Sequence, residues 1–273
     1  MGEGSHWTQH AKRWQHIGPP LRPCVADLMQ VKASLARHLS PKLSTLGALL
    51  LGVTPELAEL HLPATMQLVA VDQSQAMIDG VWPGDTDCRQ AKLGDWHTLD
   101  LADGSIGLVL GDGCFSTLDY PTGYRRLASS LSRVVAQAGV FSIRVFCRPA
   151  RAESVDALFQ AMLAGNIGNF HVFKWRLAMA LQGDDPARGV GLDSIWRMFQ
   201  ERTDGAQAVV KRLGWPANEV LTIDNYRASS AAYSFSTVAE VVAELGPEFE
   251  LVEEWHGRYE LAERCPLLLF RRR

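Results

Sequence analysis

Residues 45–77, TLGALLLGVTPELAELHLPATMQLVAVDQSQAM, decide the fold of this chain. The apolar run over residues 46–53 is too short to cross a membrane and is typical of a strand that is buried on both faces of a parallel sheet. Gly52 frees the backbone to turn, and Thr54 followed by a proline predicts the N-cap and the first position of a helix. A second apolar strand ends at Asp72. Together these features predict a βαβ unit that binds a nucleotide.

Asp72 is the residue of this unit that points to a ligand. It follows Gly52 by about 20 residues, where nucleotide-binding folds place the carboxylate that accepts hydrogen bonds from the ribose hydroxyls. The alternative is that Asp72 is only a solvated acid before the next helix, which Ser74 is able to cap. The turn holds a single glycine, so the three-glycine dinucleotide fingerprint is absent.

The composition predicts a folded protein whose partner is not a nucleic acid. The chain has 273 residues, of which 47% are hydrophobic, and this predicts a packed core. A formal net charge of −3 argues against a phosphate-backbone partner. No apolar run reaches the roughly 20 residues of a membrane helix, and the N-terminal MGEGSHWTQHAKRW lacks the apolar segment of a signal peptide. We therefore expect a cytoplasmic protein without a membrane partner.

The cysteines and the N-terminal histidines do not predict a metal site. His6 and His10 lie one helical turn apart, but no third ligand follows at a suitable spacing. The five cysteines have no paired C-x-x-C spacing, and we interpret them as reduced thiols. They are Cys24, Cys88, Cys114, Cys147 and Cys265. We expect neither a zinc site nor a disulfide.

The rest of the chain alternates between strand and helix patterns, with one helical interruption. Residues 25–39 predict an amphipathic helix that packs on the sheet or closes over the site. Further strands are predicted at residues 88–93, 106–110, 140–146, 249–255 and 267–271. The alternation implies a doubly wound, mostly parallel sheet, whereas residues 149–224 predict helices without strands. We divide the chain into an N-terminal helical segment (1–44), a Rossmann-like domain (45–148 and 236–273) and a helical insertion or substrate lid (149–235).

In this order, the patterns resemble the class I S-adenosylmethionine (SAM)-dependent methyltransferases. The likeness covers residues 45–147 and 236–273, and its signatures are LLLGVTPELA, VAVDQSQAMI, AKLGDW, DGSIGLVLGDGCFSTL and AGVFSIRVF. It implies an α/β fold whose seven-stranded sheet is mostly parallel and has an antiparallel last strand. It also implies SAM as the cofactor and S-adenosylhomocysteine (SAH) as the product.

The resemblance assigns roles to individual residues. Asp72 is similar to the acid that binds both ribose hydroxyls, and Met77 to a residue that packs on the adenine. Asp95 matches the acid that accepts from the adenine amine, and Trp96 stands where a side chain often flanks the ring. Asp112 lies in GDG at the end of the fourth strand, where the family places residues near the sulfonium and the substrate.

The glycine loop departs from the family pattern. The family usually has an acid two residues before the first glycine and two further glycines after it, whereas this chain has Leu50, Thr54 and Glu56 there. Gly52 remains, and the helix start at Thr54 is expected to offer free amides to the methionine carboxylate of the cofactor. The resemblance therefore implies Gly52 and Thr54 as cofactor-binding residues.

The insertion is expected to cover the substrate, because open α/β sheets bind ligands at the carboxyl ends of their strands. We predict His171, Arg176 and Tyr226 as substrate-binding residues. Asp112 and His171 are the candidates for a catalytic base. The alternatives are that Asp112 only turns the chain and that His171 is an ordinary packed histidine.

These features predict a methyltransferase that moves a methyl group to an O or N nucleophile of a small-molecule substrate by in-line displacement. The sulfonium already activates the methyl group, so the enzyme mainly has to hold the nucleophile on axis. Two alternatives stay open: a SAM-binding protein without methyl transfer, suggested by the altered glycine loop, and a nicotinamide-dependent oxidoreductase, whose fold also has an acid after the second strand. We expect no nucleic-acid or membrane partner, and a homodimer stays open.

Overall fold

The computed structural model describes residues 3–273, with side chains from His6 onward. Its strands are β1 Gly47–Leu51, β2 Leu68–Asp72, β3 Arg89–Leu93, β4 Ile106–Asp112, β5 Val135–Arg144, β6 Val190–Gly191, β7 Ala232–Tyr233, β8 Phe249–Trp255 and β9 Leu267–Arg272. Seven of them form the central sheet, in the order β3-β2-β1-β4-β5-β9-β8. The first five strands run parallel, and β9 lies antiparallel between β5 and β8. The predicted fold, a mostly parallel seven-stranded sheet with an antiparallel last strand, is therefore confirmed.

Helices cover the sheet and build the insertion. The α-helices are α1 Glu3–Lys12, α2 Val25–His38, α3 Pro55–Ala58, α4 Gln75–Val81, α5 Thr122–Val134, α6 Val155–Leu163, α7 Phe170–Gln182, α8 Leu192–Arg202, α9 Ala206–Leu213, α10 Ala217–Val220 and α11 Val238–Leu245. Short 3-10 helices occupy Trp14–His16, Leu43–Thr45, Trp96–Thr98, Cys114–Thr117, Pro186–Arg188, Leu221–Tyr226 and Ala262–Arg264. Among the residues described, no helix is long and apolar enough to cross a membrane.

Strand β1 is buried on both faces, as its apolar run predicts. Leu49 and Leu51 share a core with α5 and α11, whereas Ala48 and Leu50 share a second core with α2, α3 and α4. Successive side chains of a strand point to opposite faces, so this division shows that helices cover both faces of the sheet. The layers leave the carboxyl ends of β1, β2 and β4 at one edge, where the loops that follow them meet.

The insertion builds a third core from its own helices. Phe170 and Phe173 of α7 lie against Phe199 of α8, and Trp215 packs on the same pair. These rings are buried together with apolar side chains of α6, α9 and the Leu221–Tyr226 turn. Helix α1 packs along α4 and also touches that turn, so it lies between the Rossmann-like part and the insertion.

Some local predictions were wrong. The insertion does contain strands, because β6 and β7 pair antiparallel over two residues each. The side chain of Thr54 does not cap α3; the Thr54 carbonyl accepts hydrogen bonds from the amides of Leu57 and Ala58 instead. Ser74 does cap α4, and α2 matches the helix predicted over residues 25–39. The domain boundaries stay a prediction.

Candidate active site

A cavity opens at the carboxyl ends of β1, β2 and β4, and α1 and the insertion close it. Its volume is about 120 Å³. Strand ends and the loops after them contribute Leu51, Gly52, Val53, Thr54, Asp72, Gln73, Met77, Trp96, Asp112, Gly113, Cys114, Ser116 and Thr117. The N-terminal segment, the end of β5 and the insertion contribute Trp7, His10, Trp14, Ile17, Leu21, Phe146, Trp175, Tyr226 and Tyr233.

Gly52 brings bare backbone to the cavity. Its φ of +86° is a conformation that L side chains rarely adopt, so glycine is required here. A Cβ at this position would lie 3.8 Å from Asp72 Oδ2 and 3.9 Å from Trp96. The turn after β1 thus faces the acid at the end of β2 across a narrow gap.

Three residues that the sequence assigns to the cofactor lie together next to this gap. Asp72 is 9% exposed, its Oδ1 accepts a hydrogen bond from Ser74 N at 2.8 Å, and burial raises its pKa to about 6. Met77 is buried on the first turns of α4. Trp96 Nε1 donates to the Val71 carbonyl at 2.6 Å, which fixes the indole beside the end of β2. The arrangement offers a carboxylate with one oxygen near open space, flanked by an apolar and an aromatic side chain.

Asp95 does not line the cavity. Its side chain is half exposed, and Oδ1 accepts from His97 N at 2.8 Å as the N-cap of a 3-10 helix. Its predicted contact with an adenine amine stays a prediction.

Asp112 lines the cavity, but its carboxylate is already occupied. Arg144 Nε donates to Oδ1 at 2.6 Å, and Arg144 Nη2 donates to Oδ2 at 3.1 Å. Nη1 of the same arginine donates to the Pro20 carbonyl at 2.6 Å and lies 3.8 Å from Asp27. Burial alone would lower the pKa of Arg144, but the Asp112 carboxylate raises it well above its ordinary value. The bidentate contact occupies both carboxylate oxygens and favours a positioning role for Asp112 over that of a base.

The three predicted substrate residues are not brought together. Tyr226 is fully buried and lines the cavity. His171 Nε2 lies 3.0 Å from the His16 carbonyl, and burial lowers the pKa of this imidazole to about 3. Arg176 donates from two nitrogens to the carboxylate of Glu153. Neither His171 nor Arg176 lines the cavity, so their roles in binding or catalysis stay predictions.

Sequence reasoning missed most of the aromatic residues that close the cavity. Trp7 and Trp14 come from the N-terminal segment, and their seven-residue spacing was a signal for one helical face. Trp175 lies on α7, next to Arg176, which the sequence analysis predicts as a substrate-binding residue. Phe146 follows β5, at the strand end where ligands bind in open α/β sheets.

Comparisons with solved structures find the same fold at low sequence identity. A crystal structure from Rhodobacter sphaeroides, of a protein named as a zinc-dependent alcohol dehydrogenase, is 14% identical with a TM-score of 0.55, and the match covers 97% of this chain and 98% of that one. SAM-dependent methyltransferases from Methanosarcina mazei and Mesorhizobium loti are 10% and 16% identical, each with a TM-score of 0.48 over 88% of this chain and 96% of theirs. No protein-family model matches the chain, and no curated protein matches it. At these identities the likeness is one of fold.

The donor set of this chain does not fit a zinc centre. Among the side chains that the structure describes, from His6 onward, no three His, Cys, Asp or Glu side chains are grouped so that they could hold a metal ion. The part of the chain that the structure describes therefore contains no ligand set for the zinc that the name of the R. sphaeroides protein implies.

Proposed function

We propose that this protein is a SAM-dependent methyltransferase that acts on a small molecule. The observation that carries the proposal is a single cavity in which Gly52, Asp72, Met77 and Trp96 meet at the carboxyl ends of the strands. A class I methyltransferase fold binds its cofactor at this edge, as open α/β sheets do in general. The closed aromatic side of the same cavity favours a compact substrate over a polymer.

The cofactor is expected to lie along the strand ends. Its ribose hydroxyls would donate to Asp72 Oδ2, and its adenine would pack between Met77 and Trp96. The backbone at Gly52 would approach the sugar or the methionine portion without a side chain in the way. SAM supplies a methyl group on a sulfonium when bound, and the residues of the chain have to orient it and to exclude water.

The chemistry of methyl transfer requires position more than acid–base strength. The substrate nucleophile attacks the methyl carbon in line as the carbon–sulfur bond breaks, with the electron pair leaving on sulfur. Asp112 lies at the floor of the cavity, but its ion pair with Arg144 suits a positioning role rather than that of a base. The nucleophile that accepts the methyl group is proposed to be an oxygen or a nitrogen atom of the substrate.

Calorimetric titration with SAH and with NADH tests the proposal. We expect SAH to bind and NADH not to bind; the reverse would favour the oxidoreductase. Gly52→Val should abolish SAH binding, because a side chain strains the positive φ and enters the gap beside Asp72.

Gly84→Val is the matched control for Gly52→Val. Gly84 has a φ of +97°, and no atom lies within 4 Å of the added Cβ. Gly84 does not line the cavity, so we expect this variant to keep its SAH affinity despite a comparable backbone strain. Equal losses in both variants would contradict the approach of the backbone to the ligand at Gly52.

A further inference from the structure

Six aromatic rings from the N-terminal segment, the end of β5 and the insertion line the cavity. We call these rings the aromatic wall: Trp7, Trp14, Phe146, Trp175, Tyr226 and Tyr233. The Trp175 ring lies 5.1 Å from Phe146 and 5.1 Å from Tyr233, centroid to centroid, in edge-on contacts. Tyr226 lies 5.9 Å from Tyr233 and continues the row. Such a surface suits a flat apolar ligand.

Two indole donors of the aromatic wall have no partner. Nε1 of Trp14 and Nε1 of Trp175 are buried and form no hydrogen bond among the residues that the structure describes. Three other tryptophans have a partner for this group: Trp82 and Trp196 each donate to an aspartate, and Trp96 donates to a backbone carbonyl. An indole N–H can only donate, and a buried donor without an acceptor is costly. The missing partners are therefore acceptor atoms.

The charges around the aromatic wall disfavour a cation. Lys174 is fully buried, its Nζ lies 5.2 Å from the Tyr226 ring centroid, and it donates to Thr222 Oγ1 at 3.1 Å. Among the described residues no carboxylate forms an ion pair with Lys174; Glu219, the acid of this region, lies 3.8 Å from His171 instead. Aromatic cages commonly bind cations, but here the amino group of Lys174 already lies at the ring of Tyr226 without a carboxylate partner in the described part of the chain.

The neighbouring imidazoles support the same conclusion. The pKa values of His6, His10 and His171 are all lowered, first by burial and in part by Lys174. A site that keeps three histidines neutral is unfavourable for an ammonium ligand. Asp112, the acid at the cavity floor, is neutralised by Arg144.

We propose that the aromatic wall binds a planar, uncharged aromatic substrate whose oxygen atoms accept hydrogen bonds from the indole N–H groups of Trp14 and Trp175. The inference rests on the proposed methyltransferase function and names its substrate class. It distinguishes an oxygen-bearing aromatic compound from an aromatic amine that is protonated at neutral pH.

Three probes of similar size test the proposal by ligand-detected NMR titration, with and without saturating SAH. Coumarin is flat, uncharged and carries oxygen acceptors; naphthalene has two rings without an acceptor; 2-naphthylmethylammonium carries a positive charge. We expect coumarin to bind most tightly and the ammonium most weakly. Tighter binding of the ammonium than of coumarin would make the wall a cation cage and overturn the proposal.

Variants that keep an aromatic ring but remove the N–H donor separate the hydrogen bonds from the stacking, with naphthalene reporting the change in stacking. Trp14→Phe and Trp175→Phe should each weaken coumarin binding about 3- to 10-fold, the usual worth of one hydrogen bond, and change naphthalene binding less than about twofold. Trp215→Phe is the control, because Trp215 is buried in the core of the insertion but does not line the cavity. Equal losses for both probes, or no loss for coumarin, would show that the indole N–H groups do not bind the ligand.

The two proposals fail in different ways. If SAH binds and none of the probes does, the substrate class is wrong and the methyltransferase proposal stands. If coumarin binds with the expected dependence on Trp14 and Trp175 but SAH does not bind, the methyltransferase proposal is wrong while the aromatic ligand site stands.

Discussion

Asp112 and Arg144 lie side by side at the carboxyl ends of β4 and β5, as register partners, and form a buried bidentate ion pair. The side chain of Arg144 is 2% exposed and that of Asp112 is 5% exposed. Charges at such depth are costly unless each has its partner. The pair therefore ties the floor of the cavity to the Pro20 carbonyl and to Asp27 of α2, which lie on the other side of Arg144.

Breaking this pair should destabilise the fold. We expect Arg144→Met or Asp112→Ala to lower the free energy of unfolding by about 3–5 kcal/mol, because each leaves a buried charge without its partner. The double variant should lose clearly less than the sum of the single losses, since no orphan charge from the pair remains. Urea denaturation followed by circular dichroism measures these values. Additive losses would contradict a coupled pair.

Asp72 should make SAH binding depend on pH. Burial raises its pKa to about 6 in the free protein, and the ribose hydroxyls need the ionised carboxylate as acceptor. Binding should be constant above about pH 7 and weaker below the pKa, by about tenfold at pH 5 relative to pH 7.5. Calorimetry across this range measures the change. Asp72→Asn should bind more weakly and lose the pH dependence; an unchanged profile would exclude Asp72 as the group responsible.

The fold could be predicted from the sequence because burial gives the apolar side chains of each helix and strand a spacing that is visible within a short stretch of chain. The predicted last strands, 249–255 and 267–271, match β8 and β9 to within one residue. Residues at strand ends also meet at one edge of a parallel sheet, which explains why Gly52, Asp72 and Asp112 line one cavity.

The substrate side could not be read in the same way. Which residues of a helix face a cavity depends on the elements that pack around the helix. Because α7 is buried on nearly all sides, its sequence has no polar face that would indicate its orientation. The sequence therefore did not reveal that Trp175 rather than His171 lines the cavity. The docking of α1 over the strand ends depends on contacts far apart in the chain, such as Arg13 with the Leu221 carbonyl.

Lys174 should give the stability a specific dependence on pH. Burial lowers its pKa to about 7, whereas the unfolded chain keeps this lysine protonated up to about pH 10. Between pH 7 and pH 9 the folded state binds fewer protons than the unfolded state. The contribution of Lys174 to the free energy of unfolding therefore rises by about 2 kcal/mol from pH 7 to pH 9, and this gain is lost again as the pH falls to 7.

Comparison with Lys174→Met isolates this contribution, because the methionine cannot titrate. The difference in free energy of unfolding between wild type and this variant should change across the window, as measured by urea denaturation at each pH. Lys32→Met is the control, because Lys32 is exposed on α2, and its difference from wild type should stay constant. If the difference in free energy of unfolding between wild type and Lys174→Met also stays constant across this pH range, then Lys174 does not lose its proton on burial.

The cavity is small for the ligands proposed, and α1 is the element whose movement would enlarge it. A volume of about 120 Å³ is well below the roughly 300–1,000 Å³ of clefts that hold drug-sized ligands. Helix α1 supplies Trp7 and His10 to the cavity lining. It packs closely on α4 at Gly80, where a Cβ would lie only 3.1 Å from Ala11 Cβ. Binding and release of SAH are therefore expected to involve opening of α1 and closure over the bound ligand.

Limited proteolysis with trypsin tests this motion, because Lys12 is exposed at the end of α1 and Arg13 follows it. If cleavage needs the open form and SAH binds the closed form, SAH at ten times its dissociation constant should slow cleavage after these residues about tenfold. Gly80→Val should speed the same cleavage without ligand, because the new side chain displaces Ala11 from α4. Cleavage after Arg188, exposed in the insertion and away from the cavity, serves as the internal control and should not change. Equal protection of Arg188 would indicate a general stabilisation, and unchanged cleavage after Lys12 in a protein saturated with SAH would show that α1 does not close over the ligand.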